Sequence, residues 1–461
     1  MERTITKDLN KEIDKEVLIK GWVNTRRDHG KIIFIDLRDR WGIVQCVFVP
    51  GNDAYETGGR LRSEFVISIK GLVKKRPQNM INPKIPTGEI EIEVKECKIL
   101  NESETIPFEI DKDTKDLNEE IRLKYRYLDI RSERIKDNLT KRAELINSIR
   151  NWLHDKDFIE IDTPMLTKST PEGARDYVVP SRLQAGSFYA LPQSPQQFKQ
   201  LLMVGGIERY FQIAKCLRDE DSRGDRQPEH TQLDVEVSFF ERDEFLNLVE
   251  SLMVATIKKV YPEKKFTFEP FKKLTYKEAM EKYNSDKPDL REDKNNPDEL
   301  AFAWVLDFPL FERNEKGELT YSHNPFTSPK KEEVSSLMEG KNLEELSSEQ
   351  YDLVCNGYEI GSGSIRINKA EILERVFEIL GHSKDKINDR FGHMLQAFNF
   401  GAPPHGGIAW GLDRLVMLLQ NEPNIREVIA FPKTGDGRDL MMSTPSEISP
   451  EQLKELRLQI K

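Results

Sequence analysis

Cysteine is scarce in this sequence, and the four that are present are widely separated. They are Cys46, Cys97, Cys216 and Cys355, and no two of them form a C-x-x-C pair. This pattern argues against a disulfide framework and against a cysteine-based zinc site. It fits a reducing compartment such as the cytoplasm.

Long apolar runs are also missing. No window approaches the roughly 18 consecutive apolar residues of a membrane-spanning helix. The N-terminal segment, MERTITKDLNKEIDK, contains no apolar core of a secretory signal. The sequence therefore predicts a protein without a membrane span and without a visible secretory signal.

Charge is abundant but unevenly distributed. The 461 residues include 70 Lys and Arg against 80 Asp and Glu, a formal net charge of −10. Residues 1–100 carry a net charge of +4, and residues 101–461 carry −14. The acidic composition argues against non-specific nucleic-acid binding, whereas a basic N-terminal part permits a directed contact with RNA. Ordinary scatter would give the same split, so charge alone leaves both interpretations open.

Short strands dominate the first 105 residues. Segments rich in Val, Ile and Phe, separated by Gly, Asp, Asn and Pro, occur at 17–23, 31–38, 42–49, 64–75 and 89–100. Five strands without a long helix favour a small closed β-barrel of the OB type, a common reader of single-stranded nucleic acid. A fragment of a β-sandwich is the alternative that composition does not exclude.

The rest of the chain mixes strands and helices. Residues 106–137 are polar and are predicted to be a linker or hinge, and a helix is predicted from Asn138. Residues 138–461 lack regular βαβ alternation, which favours an α+β domain with a mainly antiparallel sheet flanked by helices. Within it, 284–300 reads as a surface connection and 330–350 as a charged surface helix.

Three stretches place polar and glycine residues where core elements are expected. In the first, Ser194 and Pro195 form a good helix start, followed one turn later by Lys199. A helix N-terminus beside an ammonium group suits a carboxylate ligand, although a lone lysine is more often a surface residue.

The second stretch, 209–240, is a predicted hairpin with a highly charged loop. Arg218 ends its first strand, where a fixed guanidinium matches a phosphate. In its second strand, Gln232, Asp234 and Glu236 alternate with apolar residues. The third stretch, 401–419, is a glycine-rich turn that leads to Arg414 at the start of a helix, and alone it is weak support for a ligand site.

Taken in order, these stretches resemble the three signature motifs of class II aminoacyl-tRNA synthetases. The first motif ends at Pro164, the second contains Arg218-Asp-Glu, and the third is Gly411-Leu-Asp-Arg. The closer resemblance is to the bacterial-type aspartyl-tRNA synthetases. It is carried by TPEGARDY, LPQSPQQFKQLLM, RDEDSRGDRQPEHTQLD, NGYEIGSGSIRI, GGIAWGLDRL and, in the N-terminal part, GWVNTRRDHGKIIFIDLRDRWGIVQCVF, so it covers nearly the whole chain.

The resemblance implies activation of L-aspartate by ATP, followed by transfer to the acceptor end of tRNA. It implies three catalytic residues, Arg218, Glu220 and Arg414. The implied ATP site consists of Arg218, Asp219, Glu220, Gln227, His230, Glu359, Gly411, Leu412, Asp413 and Arg414. The implied aspartate site consists of Glu172, Ser194, Gln196, Lys199, Arg218, Gln232, Asp234, His323 and Arg366.

Within the aspartate site, Lys199 and the two-pronged fork of Arg366 would bind one carboxylate, with Asp234 fixing Lys199. Asp352 and Glu359 are the implied magnesium ligands, oxygen donors for a hard cation. Because Glu359 and Arg366 are seven residues apart, they face one site only if the strand is broken or bulged near the glycines at 361 and 363.

For the barrel, the resemblance implies an anticodon-binding surface made of Arg27, His29, Phe34 and Gln45. Burial of Phe34 in the barrel is the alternative. Pro164 is implied to lie at the interface of a homodimer.

Three departures from the family pattern stand out. His230 occupies a position that is usually Phe, which would make ATP binding sensitive to pH near 6.5. Asn324 follows His323 where a second histidine is expected. The inserted domain of about 100 residues that bacterial-type members carry is absent, replaced by the connection near 284–300.

Alternative functions are an asparagine or lysine enzyme of the same fold, a tRNA-independent aspartate–ammonia ligase, and a non-catalytic RNA-binding relative. A lysine site would need acids at Lys199 and Arg366, and an ammonia ligase would lack the barrel. A non-catalytic relative would have lost residues such as Arg218 or Arg414. His29 favours an enzyme that charges tRNA(Asn) as well as tRNA(Asp), with strict tRNA(Asp) specificity as the alternative.

Overall fold

A computed structural model of the chain describes residues 1–51, 53–169 and 173–460. The chain divides into two compact units, Met1–Asp113 and Thr114–Lys461. In the ranges described, no helix combines the length and the apolar character needed to cross a membrane.

The first unit is a closed five-stranded barrel. Its strands are β1 (Glu16–His29), β2 (Ile32–Arg38), β3 (Ile43–Phe48), β4 (Val66–Lys75) and β5 (Ile90–Asn101), joined in the order β1-β2-β3-β5-β4. Helix α1 (Asp53–Arg60) and two 3₁₀ turns (Thr6–Lys11 and Gln78–Met80) complete the unit. Alternate side chains such as Ile33, Ile35, Ile67 and Ile69 fill the interior. The predicted OB-type barrel is confirmed, and the sandwich alternative is wrong.

The first strand is longer than its apolar pattern indicates. The pattern ends at Val23, but β1 continues to His29 and pairs with β2 as far as His29–Ile32, after a register shift between Val23 and Thr25. Polar side chains in this extension are compatible with a strand because they lie on its solvent side. The extension carries Arg27 and His29 beside Phe34.

The second unit contains many more elements. Its helices are α2 (Glu119–Lys124), α3 (Arg126–Asp129), α4 (Glu133–His154), α5 (Gln196–Val204), α6 (Arg242–Val260), α7 (Tyr276–Tyr283), α8 (Val334–Glu339), α9 (Ala370–Ile379), α10 (Lys384–Phe398), α11 (Leu412–Leu419) and α12 (Pro450–Leu456). Its first seven strands are β6 (Ile159–Glu160), β7 (Val178–Pro180), β8 (Phe188–Ala190), β9 (Arg209–Leu217), β10 (Glu229–Ser238), β11 (Lys265–Phe266) and β12 (Lys272–Thr275). The remaining strands are β13 (Glu299–Leu300), β14 (Phe302–Leu306), β15 (Phe311–Arg313), β16 (Leu319–Tyr321), β17 (Gln350–Cys355), β18 (Tyr358–Ile365) and β19 (His405–Gly411). Short 3₁₀ turns occur at Lys331–Glu333, Leu343–Glu345 and Ile425–Val428.

Eight strands form one sheet in the order β12-β14-β17-β18-β19-β10-β9-β6. The inner pairs are antiparallel, and only the outer pairs β12–β14 and β6–β9 are parallel. Apolar side chains of α4, α6 and α11 pack against one face of this sheet. The α+β prediction with a mainly antiparallel sheet is therefore confirmed.

Helix α4 starts earlier than predicted. It begins at Glu133 rather than near Asn138, and its buried residues include Ile135, Leu145 and Ile149. Asn138 is buried too, because its side-chain amide donates to Glu422 Oε1 at 2.7 Å. Because Asn138 is polar but is buried against a partner far away in the sequence, the apolar pattern does not show where the helix starts.

Most of the predicted linker 106–137 belongs to the second unit. Residues from Thr114 onward fold with that unit and include α2 and α3. Three of their charged side chains are buried in ion pairs: Arg122 Nη2 lies 2.8 Å from Glu427 Oε1, and Arg126 Nη1 lies 2.6 Å from Asp129 Oδ2. Burial alone would raise the pKa of Glu427, but the surrounding arginines lower it to about 2. Charge in this segment reflects internal pairing instead of solvation.

Two smaller predictions have different outcomes. The connection 284–300 contains no helix or strand until β13 begins at Glu299. The predicted surface helix at 330–350 is only partly present, because α8 covers six residues between two 3₁₀ turns. The left-handed Gly340, with φ of 69°, ends α8.

Candidate active site and RNA-binding surface

Strand β10 carries a buried row of polar side chains. Leu233 and Val235 pack into the core, whereas Gln232, Asp234 and Glu236 lie on the opposite face of the sheet. The predicted alternation is correct. However, Asp234 and Glu236 are 0% exposed, so this face of the strand is the wall of an internal site.

A cavity of about 310 Å³ opens along this wall. Strands β10, β18 and β19, the β9–β10 loop and the first turns of α5 and α11 contribute to its lining. The predicted site residues that line it are Ser194, Gln196, Lys199, Arg218, Glu220, Gln227, His230, Gln232, Asp234, His323, Glu359, Arg366, Gly411, Asp413 and Arg414. The structure thus brings together residues that are more than 200 positions apart in the sequence.

One end of the cavity, which we call the lysine end, consists of Lys199, Asp234, Glu236 and Arg366. Lys199 Nζ donates to Asp234 Oδ1 at 2.7 Å and lies 3.5 Å from Glu236 Oε2. Arg366 Nε donates to Glu236 Oε1 at 3.0 Å. Burial alone would raise the pKa of Glu236, but Arg366 and Lys199 lower it on balance. The four charges therefore balance in a buried network.

Two features of the lysine end bear on ligand binding. The second carboxylate oxygen of Asp234, Oδ2, is buried and has no hydrogen-bond partner within the described residues. Arg366 uses Nε and Nη2 on Glu236, and its Nη1 donates to Ser364 Oγ at 2.8 Å. The predicted two-pronged contact of Arg366 with a ligand stays a prediction, and in this structure Glu236 accepts along the Nε–Nη2 edge of the guanidinium.

The opposite end of the cavity, which we call the arginine end, consists of Arg218, Gln227, His230 and Arg414. The Nε atoms of both arginines and Nε2 of Gln227 are buried without a partner in the part of the chain that the structure describes. Arg414 is held by Asp225, whose Oδ2 lies 3.0 Å from Nη2, and by a hydrogen bond to the backbone carbonyl of Glu359. Unsatisfied buried donors of this kind suit an anionic ligand.

His230 does not titrate near neutral pH. Burial, together with the positive charges of Arg218, Arg414 and Lys215, lowers its pKa to about 3. The expectation of pH sensitivity near 6.5 is therefore wrong. The ring is neutral under physiological conditions and presents a flat, uncharged surface to the cavity.

An acidic corner adjoins the arginine end. Asp352 accepts from Gln350 Nε2 at 2.8 Å and lies 3.3 Å from His323 Nε2. Burial and the neighbouring charge of Asp352 raise the pKa of Glu359. Burial alone would lower the pKa of His323, but Asp352 raises it on balance. In the described ranges, no group of three or more His, Cys, Asp or Glu side chains is arranged to hold a metal ion.

A bulge lets Glu359 and Arg366 face the same cavity. Glu359 pairs with Val354 and Gly361 pairs with Leu353, which leaves Ile360 as the extra residue of β18. The predicted interruption is confirmed. The glycines themselves serve close packing, because a Cβ on Gly363 would lie 2.2 Å from the carbonyl oxygen of Gly407.

Several predicted residues are placed elsewhere. Asp219 does not line the cavity, and its backbone carbonyl accepts from Arg175 Nε at 3.1 Å. Leu412 belongs to the core, and Asp413 accepts from the backbone amide of Thr231 at 2.8 Å. Leu412 therefore faces away from the cavity, whereas Asp413 lines it together with Arg414. Asp352 lies behind the lining, Pro164 is exposed in another region, and Glu172 is outside the described residues.

The barrel presents a separate polar surface. Arg27 donates to both carboxylate oxygens of Asp36 at 2.8 and 2.9 Å, and Gln45 Nε2 donates to Glu91 Oε2 at 3.1 Å. Phe34 is half-buried outside the barrel, whereas its neighbours Ile33 and Ile35 fill the interior. Burial of Phe34 in the core is therefore excluded.

The edge of His29 contacts the ring of Phe34, with ring centroids 5.9 Å apart. The four predicted anticodon residues thus lie on one face, formed by β1, β2 and β3.

Glu236 is a site residue that was not predicted. It shares the strand parity of Gln232 and Asp234, so the alternation of β10 held the signal for it. Asn324, Asp225 and Ile425 also line the cavity, and their positions depend on loops that no sequence pattern indicates.

Family comparisons agree with both units. Residues 118–435 match the family described as tRNA synthetases class II (D, K and N), and residues 17–100 match the OB-fold nucleic acid binding domain. The chain therefore belongs to the class II tRNA synthetases. An asparaginyl-tRNA synthetase from Pyrococcus horikoshii shares the fold, with a TM-score of 0.77 at 20% identity, over 98% of this chain and 100% of that one.

Similar proteins show which family within the class II synthetases the chain belongs to. The chain is 43% identical to the aspartate–tRNA(Asp/Asn) ligase of Rubrobacter xylanophilus, over 97% of this chain and 95% of that protein. It is 39% identical to the aspartate–tRNA ligase of Staphylococcus aureus, over 97% of each chain. Within the class II synthetases, the chain belongs to the aspartate–tRNA ligase family.

Proposed function

We propose that this protein ligates L-aspartate to tRNA in two steps. A carboxylate oxygen of aspartate attacks the α-phosphorus of ATP, which gives aspartyl-adenylate and diphosphate. A ribose hydroxyl of the terminal adenosine of tRNA then attacks the carbonyl carbon and releases AMP. The observation that carries the proposal is the cavity itself, in which a buried, charge-balanced network and unsatisfied guanidinium groups occupy opposite ends. Positioning and charge stabilisation supply the catalysis.

At the arginine end, Arg218 stabilises the negative charge that develops on the α-phosphate, and Arg414 contacts the nucleotide phosphates. Their unpartnered Nε atoms support these roles within the described structure. The neutral ring of His230 stacks on the adenine, and Glu220 and Gln227 contact its edge. Asp219 and Leu412 support this end from behind, and Asp413 lines it while accepting from the backbone amide of Thr231.

At the lysine end, the side-chain carboxylate of aspartate lies against Lys199 and the Nη1 atom of Arg366. The α-ammonium group lies against Asp234 Oδ2, Gln196, Ser194 and Gln232. The buried carboxylate oxygen of Asp234, with no partner in the described part of the chain, supports the ammonium site. We also propose that His323 contacts the bound aspartate, and that Glu172, which lies outside the described residues, belongs to the same site.

We propose that Mg²⁺ accompanies ATP and is held by Glu359, with Asp352 behind it. The raised pKa of Glu359 supports this site, because two neighbouring buried carboxylates have a shortage of positive charge that a cation would remove. Of these two carboxylates, only Glu359 lines the cavity, which fits an ion that takes its other ligands from phosphates and water. Bound magnesium neutralises charge on the transferring phosphate.

We further propose that the barrel binds the anticodon, with Phe34 stacking on a base and Arg27 and Gln45 reading base edges. Stacking and edge contacts are the usual means of recognising single-stranded RNA. The protein acts in the cytoplasm, where tRNA is charged.

We propose that the protein forms a homodimer through the region around Pro164. Exposed apolar residues that follow or adjoin it, Met165, Leu166 and Ile159, support this interface. The short strand β6 is also an edge of the large sheet, open to further pairing.

The missing insertion is inferred from length. The alignment with the Rubrobacter protein spans 573 positions, so at least 112 of them have no residue from this 461-residue chain. We propose that the connection 284–300 replaces a domain-sized insertion at this point. The chemistry of the cavity does not require the insertion.

The names of the relatives indicate two types of tRNA specificity. Three of them are named aspartate–tRNA(Asp/Asn) ligases and others aspartate–tRNA ligases. We propose the relaxed type, on the basis of the exposed His29 beside Phe34. Aminoacylation of purified tRNA(Asp) and tRNA(Asn) tests this choice, and failure to charge tRNA(Asn) would leave the strict type.

Aspartate-dependent exchange between ATP and diphosphate tests the first step. We expect exchange with aspartate in the absence of tRNA. An intact protein that shows no exchange would overturn the proposed function.

A further inference from the structure

The cavity wall continues into a buried chain of hydrogen bonds that ends away from the ligand. Gln196 Nε2 donates to Gln200 Oε1 at 2.9 Å. Gln200 Nε2 lies 3.1 Å from His405 Nε2, and His405 Nδ1 lies 2.8 Å from the carbonyl oxygen of Pro403. Gln200 and His405 are 0% and 1% exposed, and only Gln196 lines the cavity.

One carbonyl fixes the direction of the whole chain. The oxygen of Pro403 accepts hydrogen bonds only, so His405 Nδ1 carries the proton and donates. In the neutral ring, Nε2 is then an acceptor, and Gln200 must present its amide nitrogen to it. The oxygen of Gln200 therefore points toward Gln196, which must present nitrogen in turn. The atom of Gln196 that remains for a ligand is its oxygen.

The surroundings of His405 favour the neutral ring that this direction requires. Burial lowers its pKa. Glu236 opposes this shift and Arg366 adds to it, and these are the charged side chains that act on the ring. A protonated ring would donate from both nitrogens, which would reverse the two bonds made by Gln200 and leave the bond to Pro403 unchanged.

We propose that His405 and Gln200 are positioning residues that make Gln196 an obligate hydrogen-bond acceptor for the α-ammonium group of the amino-acid substrate. The inference rests on the proposed function. It adds that an acceptor at this place is set by a side chain two hydrogen bonds behind the cavity. Together with Asp234 Oδ2, the oxygen of Gln196 gives the ammonium group two acceptors in a buried site.

The chain offers matched variants at each link. H405N places an amide where Nδ1 lies and leaves no atom at Nε2. Nothing then fixes which end of the Gln200 amide faces Gln196. H405Q places an amide near the Nε2 position but has no atom at Nδ1 that donates to Pro403, and its amide can present either oxygen or nitrogen to Gln200, so it does not fix the direction either. Q200L removes the link altogether, whereas Q200E keeps an acceptor for Gln196.

The test compares aspartate with succinate, which has the same two carboxylates but no ammonium group. In ATP–diphosphate exchange, H405N and Q200L should raise the KM for aspartate roughly 10-fold or more, the effect of losing one charge-assisted hydrogen bond. Inhibition by succinate and the KM for ATP should change less than about twofold. H405Q should behave like H405N, whereas Q200E should keep most of the wild-type KM for aspartate. The double variant H405N/Q200L should be no worse than either single variant.

Several outcomes would overturn the proposal. Equal losses for aspartate and succinate would indicate a merely structural role, and an unchanged KM for aspartate in H405N and Q200L would exclude any role. Thermal unfolding shows which variants are folded, and Q200L provides the test if H405N is not. If the wild type activates a different amino acid, that amino acid and its deaminated analogue replace the pair, because the ammonium group is common to all. A wild type that activates none would reject both proposals.

Discussion

The two ends of the cavity manage charge in opposite ways. At the lysine end, two cations and two carboxylates are already paired with one another, and in the described structure Asp234 Oδ2 is the one atom of these four side chains that is buried without a partner. At the arginine end, Arg218 and Arg414 keep buried donors without partners in the described structure. A paired network is rigid and selects one ligand geometry, whereas unpaired donors favour whatever negative charge is brought to them. The lysine end is therefore assigned to selection of the amino acid, and the arginine end to catalysis.

Removal of Arg218 should give the largest effect. We expect R218A to lower kcat/KM for aspartate-dependent exchange roughly 10³-fold or more, because a donor aimed at the transition-state charge is lost. The matched control is R223A, an exposed arginine in the same hairpin loop that does not line the cavity. Similar losses in both variants would mean that the loop, and not the Arg218 contact, matters.

Removal of Lys199 should separate the two ends. K199M leaves Asp234 and Glu236 with an uncompensated negative charge, so we expect the KM for aspartate to rise roughly 100-fold while the KM for ATP changes little. Breaking a buried ion pair should also lower the free energy of unfolding by about 3–5 kcal/mol, measured in urea. A comparable rise in both KM values would contradict the division of the cavity.

A substitution in the barrel should leave both ends unchanged. We expect F34A to raise the KM for tRNA roughly 10-fold or more, because stacking of one base is lost. ATP–diphosphate exchange without tRNA serves as the internal control and should match the wild type. An altered exchange rate would show that Phe34 is not confined to RNA binding.

His230 should make the free energy of unfolding decrease as the pH becomes acidic. Its folded-state pKa of about 3 lies below the ordinary 6.5, so the folded protein resists a proton that the unfolded chain accepts. The stability that the neutral ring provides is complete above pH 6.5 and is lost as the pH falls toward 3. Relative to H230F, the wild type should lose about 1.4 kcal/mol of unfolding free energy per pH unit in this window. Parallel curves for the two proteins would exclude the shift.

Local patterns predict local structure well in this chain. The alternation of β10 indicates the wall of the cavity, and the apolar face that follows Gly411 indicates α11. Lys199 and Asp234 were expected to pair, and they do at 2.7 Å. Each of these depends on a strand or helix period, or on a motif that the family shares.

Pairing between distant residues is where the sequence was insufficient. Arg122 and Glu427 are 305 positions apart, so a charged segment that is buried by this pair looks like a linker. The low pKa of His230 depends on burial and on two arginines from different elements. The engagement of Arg366 by Glu236 likewise exists only once β19 has paired with both β10 and β18.

The preference of the lysine end for a second carboxylate is the central claim, and amino-acid discrimination tests it most directly. The measurement is kcat/KM for ATP–diphosphate exchange with aspartate and with asparagine, which differ only in the side-chain carboxylate. We expect at least a 10³-fold preference for aspartate, since Lys199 and Arg366 would leave a neutral amide poorly matched. Equal values, or a preference for asparagine, would contradict the account.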